Sequence, residues 1–244
     1  KGLLSENEID GDDPYTTLEH HWDEAFGYWG GARDYSTYTD EELAGAGGRP
    51  EFGNGYHDTN EDGLIDLLGE LNFGASVNAA KRDLGSAAAS PTDLSGDADL
   101  AFRTGRAIIA AAYESGEAVD LEALSAQRDI AVLAWEKAYA ATAIHYINAV
   151  LADMDAIESD DHSFADHAKH WSELKGFALG FQFNPRSPMN EVDFEAVHAA
   201  IGDAPVGASA SDPVDDASYR AALLDARSLI GDAYDFDEAN VTSW

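Results

Sequence analysis

The sequence predicts an all-α fold, an internally duplicated helical bundle of two pseudo-symmetric halves with long irregular loops. Three observations predict it. Apolar residues recur at spacings of three and four along much of the chain. No segment alternates apolar and polar residues long enough to build a sheet. An eleven-residue pattern recurs at an offset of 149 residues.

The elements follow in chain order. Pro14 stands where a first helix can begin, behind Asp12 and Asp13, whose carboxylates suit its positive end. Leu18, Trp22, Ala25, Phe26 and Trp29 form its apolar stripe, and Gly30 and Gly31 end it. Residues 34–62 read as a long loop with one helical turn near Glu41–Leu43. Leu64–Leu71 and Ala75–Leu84 read as two short helices, and Ala87–Gly96 as a linker. Ala98–Tyr113 is an amphipathic helix with Leu100, Ala107, Ile108 and Ala111 on one face. Leu121–Ile157 is a very long helical pattern containing neither Gly nor Pro. Phe164–Phe181 stops before Asn184-Pro185. Val192–Ile201 and Ala217–Tyr234 complete the set, with a Gly/Ala/Ser/Pro-rich loop between them.

The recurring pattern reads His21-Trp22-Asp23-Glu24-Ala25-Phe26-Gly27-Tyr28-Trp29-Gly30-Gly31 and His170-Trp171-Ser172-Glu173-Leu174-Lys175-Gly176-Phe177-Ala178-Leu179-Gly180. His, Trp, Glu and two Gly match, and Tyr28 stands opposite Phe177. This implies a duplication, with residues 1–96 as one repeat and 97–244 as the other, in one compact unit. The long helix before the second copy has no counterpart before the first. The natural precursor is therefore expected to extend upstream, or another segment or chain to fill that place. The chain starts at Lys1 without a signal-peptide core, so a removed leader or a fragment is expected.

Composition excludes several function classes. The chain has 244 residues, 14 Lys+Arg against 47 Asp+Glu, a formal charge of −33 and no cysteine. Such a charge repels nucleic-acid phosphates and anionic lipid. No disulfide framework, iron–sulfur cluster or cysteine nucleophile is available. No apolar stretch reaches the roughly 18–20 residues of a spanning helix. With 45% hydrophobic residues the chain is too apolar for a disordered acidic polymer. The charge suits a saline exterior, or a protein that gathers cations.

His-x-x-Glu places an imidazole and a carboxylate on one helix face. If the repeats meet about a pseudo-twofold axis, His21, Glu24, His170 and Glu173 form a mixed N/O set suited to iron, zinc, copper or manganese, with His20, His167 and Glu19 nearby. The other reading of the same residues is a buried hydrogen-bond network, with the glycine three past each Glu allowing close helix packing. Neither copy is a zinc-peptidase HExxH helix.

Asp58-Thr59-Asn60-Glu61-Asp62-Gly63-Leu64-Ile65-Asp66 matches positions one to nine of a calcium loop. Asp58, Asn60, Asp62 and Asp66 supply side-chain oxygens, Leu64 a carbonyl, and Gly63 the turn. The closing glutamate is displaced by one: Gly69 holds position twelve and Glu70 follows. The competing reading is a connector of Asx-turns.

The segment Leu18–Tyr28 and the segment His170–Pro185, which ends Phe181-Gln182-Phe183-Asn184-Pro185, resemble the DUF4856 family of bacterial envelope proteins, itself similar to the imelysin-like group. The resemblance implies a duplicated helical bundle, secreted or lipid-anchored, associated with iron. The imelysin-like signature is GxHxxE; His21 and Glu24 match it, and Glu19 stands in place of the Gly. The expected function is therefore non-enzymatic capture of a metal ion or metal-containing small ligand outside the cytoplasm, with a structural calcium loop. The alternative is a calcium-stabilised cell-surface or outer-membrane interaction protein, with a metal-dependent hydrolase third.

Overall fold

The computed structural model describes residues 2–157, 162–206 and 216–244. Among them are nine α-helices: α1 Thr17–Trp29, α2 Asp40–Leu43, α3 Ala75–Leu84, α4 Leu94–Ser115, α5 Leu121–Asp155, α6 Phe164–Leu179, α7 Glu191–Ile201, α8 Asp216–Ala233 and α9 Glu238–Ser243. Among the described residues there is no strand, only the isolated bridges Ile9–Thr16 and Tyr56–Leu71. The chain divides into two compact units, Lys1–Leu84 with Asp93–Trp135, and Gly85–Thr92 with Glu136–Trp244. Helix α5 gives its first part to the first unit and the rest to the second.

In the first unit, α1 starts at a capping box. The Thr16 hydroxyl accepts from the Glu19 N–H at 3.1 Å, and Glu19 Oε2 accepts from the Thr16 N–H at 2.8 Å. This places the start of α1 at Thr17 rather than Pro14, because the reciprocal pair satisfies two otherwise free amides. The Glu19 carboxylate is buried and also accepts from Arg106 on α4 at 2.6 Å. One turn on, the Trp22 indole lies against the α4 backbone and donates to the Phe102 carbonyl at 2.8 Å. Gly105 makes the approach possible: a Cβ there would fall 2.0 Å from the Trp22 ring. A mid-helix glycine costs roughly 0.5–1 kcal/mol of helix stability, and here the seated indole offsets it. Gly30, with φ +89°, ends α1 in the left-handed conformation.

The buried face of α4 is Ala98, Ala101, Phe102, Gly105, Ile109 and Ala112. The expected face was turned by about one position: Leu100 is 57% exposed, and Ala107 and Ala111 face solvent. Phe102 and Ile109, with the glycine between them, set the packed stripe.

In the second unit the core joins Ile144, Ile147 and Val150 of α5 to Leu174 and Ala178 of α6, Val197 and Ile201 of α7, and Leu223, Ala226 and Ile230 of α8. Trp171 and Tyr219 both donate to the Ile201 carbonyl, each at 3.1 Å, and Lys175 Nζ donates to the Gly202 carbonyl at 2.7 Å. These cap the C-terminal end of α7 with donors and a cation. The buried Glu136 carboxylate accepts from the Tyr234 hydroxyl at 2.6 Å and from Ser187 and Asn184. That pairing fastens the Asn184-Pro185 corner. Asn240 accepts from the Ala87 N–H at 2.7 Å and donates to the Ser90 carbonyl at 2.8 Å, holding residues 85–92 in this unit.

Leu64–Leu71 is not a helix. The Leu64, Asp66 and Leu68 amides go to the carboxylates of Asp62, Glu70 and Asp66, and only a single turn closes at its end, with Gly69 and Glu70 N–H donating to the Asp66 carbonyl, so local carboxylates outcompete a longer helical ladder. Gly27 and Gly176 do not serve close packing either, since a Cβ on each would meet nothing within 4 Å. Helix α9 was not expected from the sequence. The Gly/Ala/Ser/Pro-rich connector before α8 falls largely outside the described residues.

Gly105→Ala drives a methyl into the Trp22 ring. It is expected to destabilise the protein by about 1–3 kcal/mol, the usual cost of overpacking, despite alanine's higher helix propensity. Urea unfolding monitored by tryptophan fluorescence checks this.

Candidate functional site

The calcium-type loop is built of carboxylates held by amides. Asp58 Oδ1 accepts from the Asp62 N–H at 3.2 Å, and Oδ2 from the Gly63 N–H at 2.8 Å. Asn60 Oδ1 accepts from the Asp62 N–H at 2.9 Å, and Asp62 Oδ1 from the Leu64 N–H at 2.8 Å. Glu61 and Gly63 take positive φ, 58° and 81°, which brings the loop round. The displaced Glu70 reaches back into it. Its Oε1 accepts from the Thr59 amide at 2.8 Å and from the Thr59 hydroxyl, and its Oε2 accepts from the Asp66 amide at 2.9 Å. These donors hold the Glu70 carboxyl down to about 2. Leu64, Leu67 and Leu68 of the same loop are exposed.

The HxxE residues occupy two different settings. In the first unit His21 Nδ1 lies 2.8 Å from the Ser5 hydroxyl, Glu24 is exposed, and His20 packs edge-on to Tyr15 and His21. In the second unit His170 Nδ1 lies 2.8 Å from Asp153 Oδ2, the last turn of α5 thus reaching α6. His167 is fully buried on the same helix, 3.6 Å from the same oxygen. Glu173 Oε2 is buried with no hydrogen-bond partner among the described residues. The hydrogen bonds of the two HxxE histidines thus run to Ser5 and Asp153. Among the described residues no three His, Asp or Glu side chains already stand gathered for a metal ion. Asp153 was missed in the sequence reading. Its signal is weak, since 17 residues separate it from His170.

A third cluster, also unforeseen, lines a cavity of about 520 Å³ in the first unit with Asp40, Asp93, Asp97, Asp99, Tyr35 and Arg103. Asp83 is buried beneath it, accepting from the Leu94 and Ser95 amides at 2.8 Å each. Asp99 pairs with Arg103 at 2.7 Å. Burial, followed by the charge of Asp83, pushes the Asp40 carboxyl up to about 6. A carboxyl raised in the folded state stabilises fully below its unfolded value, about 3.9. That contribution is lost as pH rises through about 6. Asp40→Asn is therefore expected to be more stable than the parent above pH 6 and to match it below about pH 4. Unfolding midpoints across that range check the sign.

Aromatic residues pack beside this cavity. Tyr35, with Tyr38 against it, joins Leu43 and Ala80, and Phe52 lies between the Arg49 guanidinium and a stacked His57. Tyr28 is 72% exposed and takes no part.

No helix among the described residues is long and apolar enough to cross a membrane. No curated protein and no solved structure matches the chain. The family described as a domain of unknown function, DUF4856, matches residues 5–197. That span takes in both HxxE segments, the acidic loop and the first part of α7, so the chain belongs to the DUF4856 family.

Proposed function

We propose that this protein is an extracytoplasmic calcium-binding protein, not an enzyme, whose loop 58–70 is fixed by Ca²⁺ for contact with a partner protein at the cell surface. The position of Glu70 carries the reading. The carboxylate that the sequence displaces by one residue reaches the Thr59 and Asp66 amides, which places it at the loop that needs a closing acid. The two Thr59 donors fill Glu70 Oε1, but the Asp66 amide uses one of the two lone pairs of Oε2, which leaves acceptor capacity there for a cation. Asp58, Asn60, Asp62, the Leu64 carbonyl, Asp66 and Glu70 make an all-oxygen set, as a hard cation prefers. Leu64, Leu67 and Leu68 provide an apolar contact surface whose shape would depend on the bound ion. The formal charge of −33 favours a salty, calcium-rich exterior.

A second reading follows the imelysin-like resemblance: duplicated repeats that capture iron or another transition metal through His21, Glu24, His170 and Glu173. The unpartnered Glu173 oxygen favours it. So do the parallel uses of the repeated residues, since Trp22 and Trp171 each donate to a backbone carbonyl of a facing helix or its end.

Calorimetry on chelator-treated full chain is expected to show one Ca²⁺ per chain, with Kd on the order of 10⁻⁴–10⁻³ M. Asp62→Asn and Glu70→Gln should each weaken it, and calcium should slow proteolysis within residues 56–73. No saturable heat together with no protection would overturn the calcium reading.

A further inference from the structure

The second unit contains a group of imidazoles whose hydrogen bonding is incomplete. His167 is fully buried on α6. Its Nε2 lies 2.7 Å from the Val206 carbonyl, which can only accept, so Nε2 carries the proton. In the neutral ring Nδ1 then offers a lone pair. Among the described residues that atom has no hydrogen-bond partner, and it lies 3.6 Å from Asp153 Oδ2. His170, one turn along the same helix, turns its own Nδ1 to the same oxygen at 2.8 Å. His162 lies just before α6, its ring 6.3 Å from that of His167, and both its nitrogens are buried and unpartnered among the described residues.

Buried imidazole nitrogens without partners are costly, and here the unpartnered His167 Nδ1 faces the Asp153 oxygen that His170 already engages, with the His162 ring beside it. A histidine whose far N–H is tied to a backbone carbonyl has the tautomer and orientation typical of a metal ligand. We propose that His167, His170, His162 and Asp153 form a site for a divalent transition metal of the zinc class. Three imidazoles and one carboxylate suit zinc and its tetrahedral analogues rather than calcium. Without metal the donors are closed on one another, since Asp153 and His170 share a proton. Metal entry displaces that proton to solvent and takes its place between nitrogen and oxygen. Neither Glu173 nor any residue of the first unit is required. The inference does not rest on the calcium reading, and it gives the transition-metal idea a different ligand set from the HxxE pairs.

The test uses the full chain without a histidine tag, stripped with chelator and then saturated with calcium. Co²⁺ is titrated as the probe, and Zn²⁺ is added as competitor. One equivalent of Co²⁺ should give the visible absorption of a tetrahedral site, and Zn²⁺ should abolish it. His162→Gln and Asp153→Asn should each weaken binding by about ten-fold or more. His162→Gln should leave the unfolding midpoint of the metal-free protein nearly unchanged, because its ring nitrogens make no hydrogen bond that could be lost. Absence of stoichiometric Co²⁺ binding would overturn the proposal. So would binding that survives both substitutions, or binding lost in Glu173→Gln or His21→Gln instead. Loss of calcium binding in Glu70→Gln with the Co²⁺ site intact would support its independence.

Discussion

The first unit depends on the seating of one indole on one helix backbone. Trp22 can donate to Phe102 only because Gly105 leaves the α4 surface bare beneath the ring. That approach brings Glu19 within reach of Arg106, and sets Phe26 and Trp29 edge-on and tilted around Phe102. The buried Glu19 carboxylate then works at two scales. It caps the helix that carries the indole, and it takes the guanidinium of the helix that receives it. A buried carboxylate is tolerable only when its oxygens are satisfied, and here a backbone amide and Arg106 serve them.

The second unit uses the same device with different parts. Trp171 donates to the end of α7, and Lys175 and Tyr219 complete the coverage of that helix terminus. Glu136 repeats the logic of the satisfied carboxylate with neutral donors only, Tyr234, Ser187 and Asn184. In a chain so rich in acid, Glu19 and Glu136 can leave water because donors enclose them. An acid left on the surface is hydrated and screened instead.

The helices were legible in the sequence because period and punctuation agree there. Gly30 ends α1, Asn184-Pro185 follows α6, and an uninterrupted stretch without Gly or Pro makes α5. The loop at 64–71 was misread because its leucine spacing mimics a helix, while Asp66 and Glu70 offer the amides a nearer partner. The face of α4 was misplaced because leucine counts as apolar wherever it points, and the glycine that marks the packed side has no hydropathy signal. The site residues were legible by type and not by company. His167 and His170 stand out in the sequence, but Asp153 becomes their partner only through the approach of α5 to α6. Glu136 and Tyr234, 98 residues apart, meet only in the folded chain.

Asn240 gives the fold a direction in time. Residues 85–92 interrupt the first unit in sequence yet are held by a side chain on the last helix, α9. A ribosome releases the whole of the first unit by residue 135, so that unit can close on itself while its own interruption remains undocked. The second unit must wait for Asn240 before residues 85–92 have a place to bind. A chain cut short at α8 would therefore keep most of its second core and still leave an unpaired backbone segment between two finished parts of the first unit. Such a segment is the kind of exposed polypeptide that quality-control proteases engage, so the docking of Asn240 is reported at a point more than a hundred residues upstream.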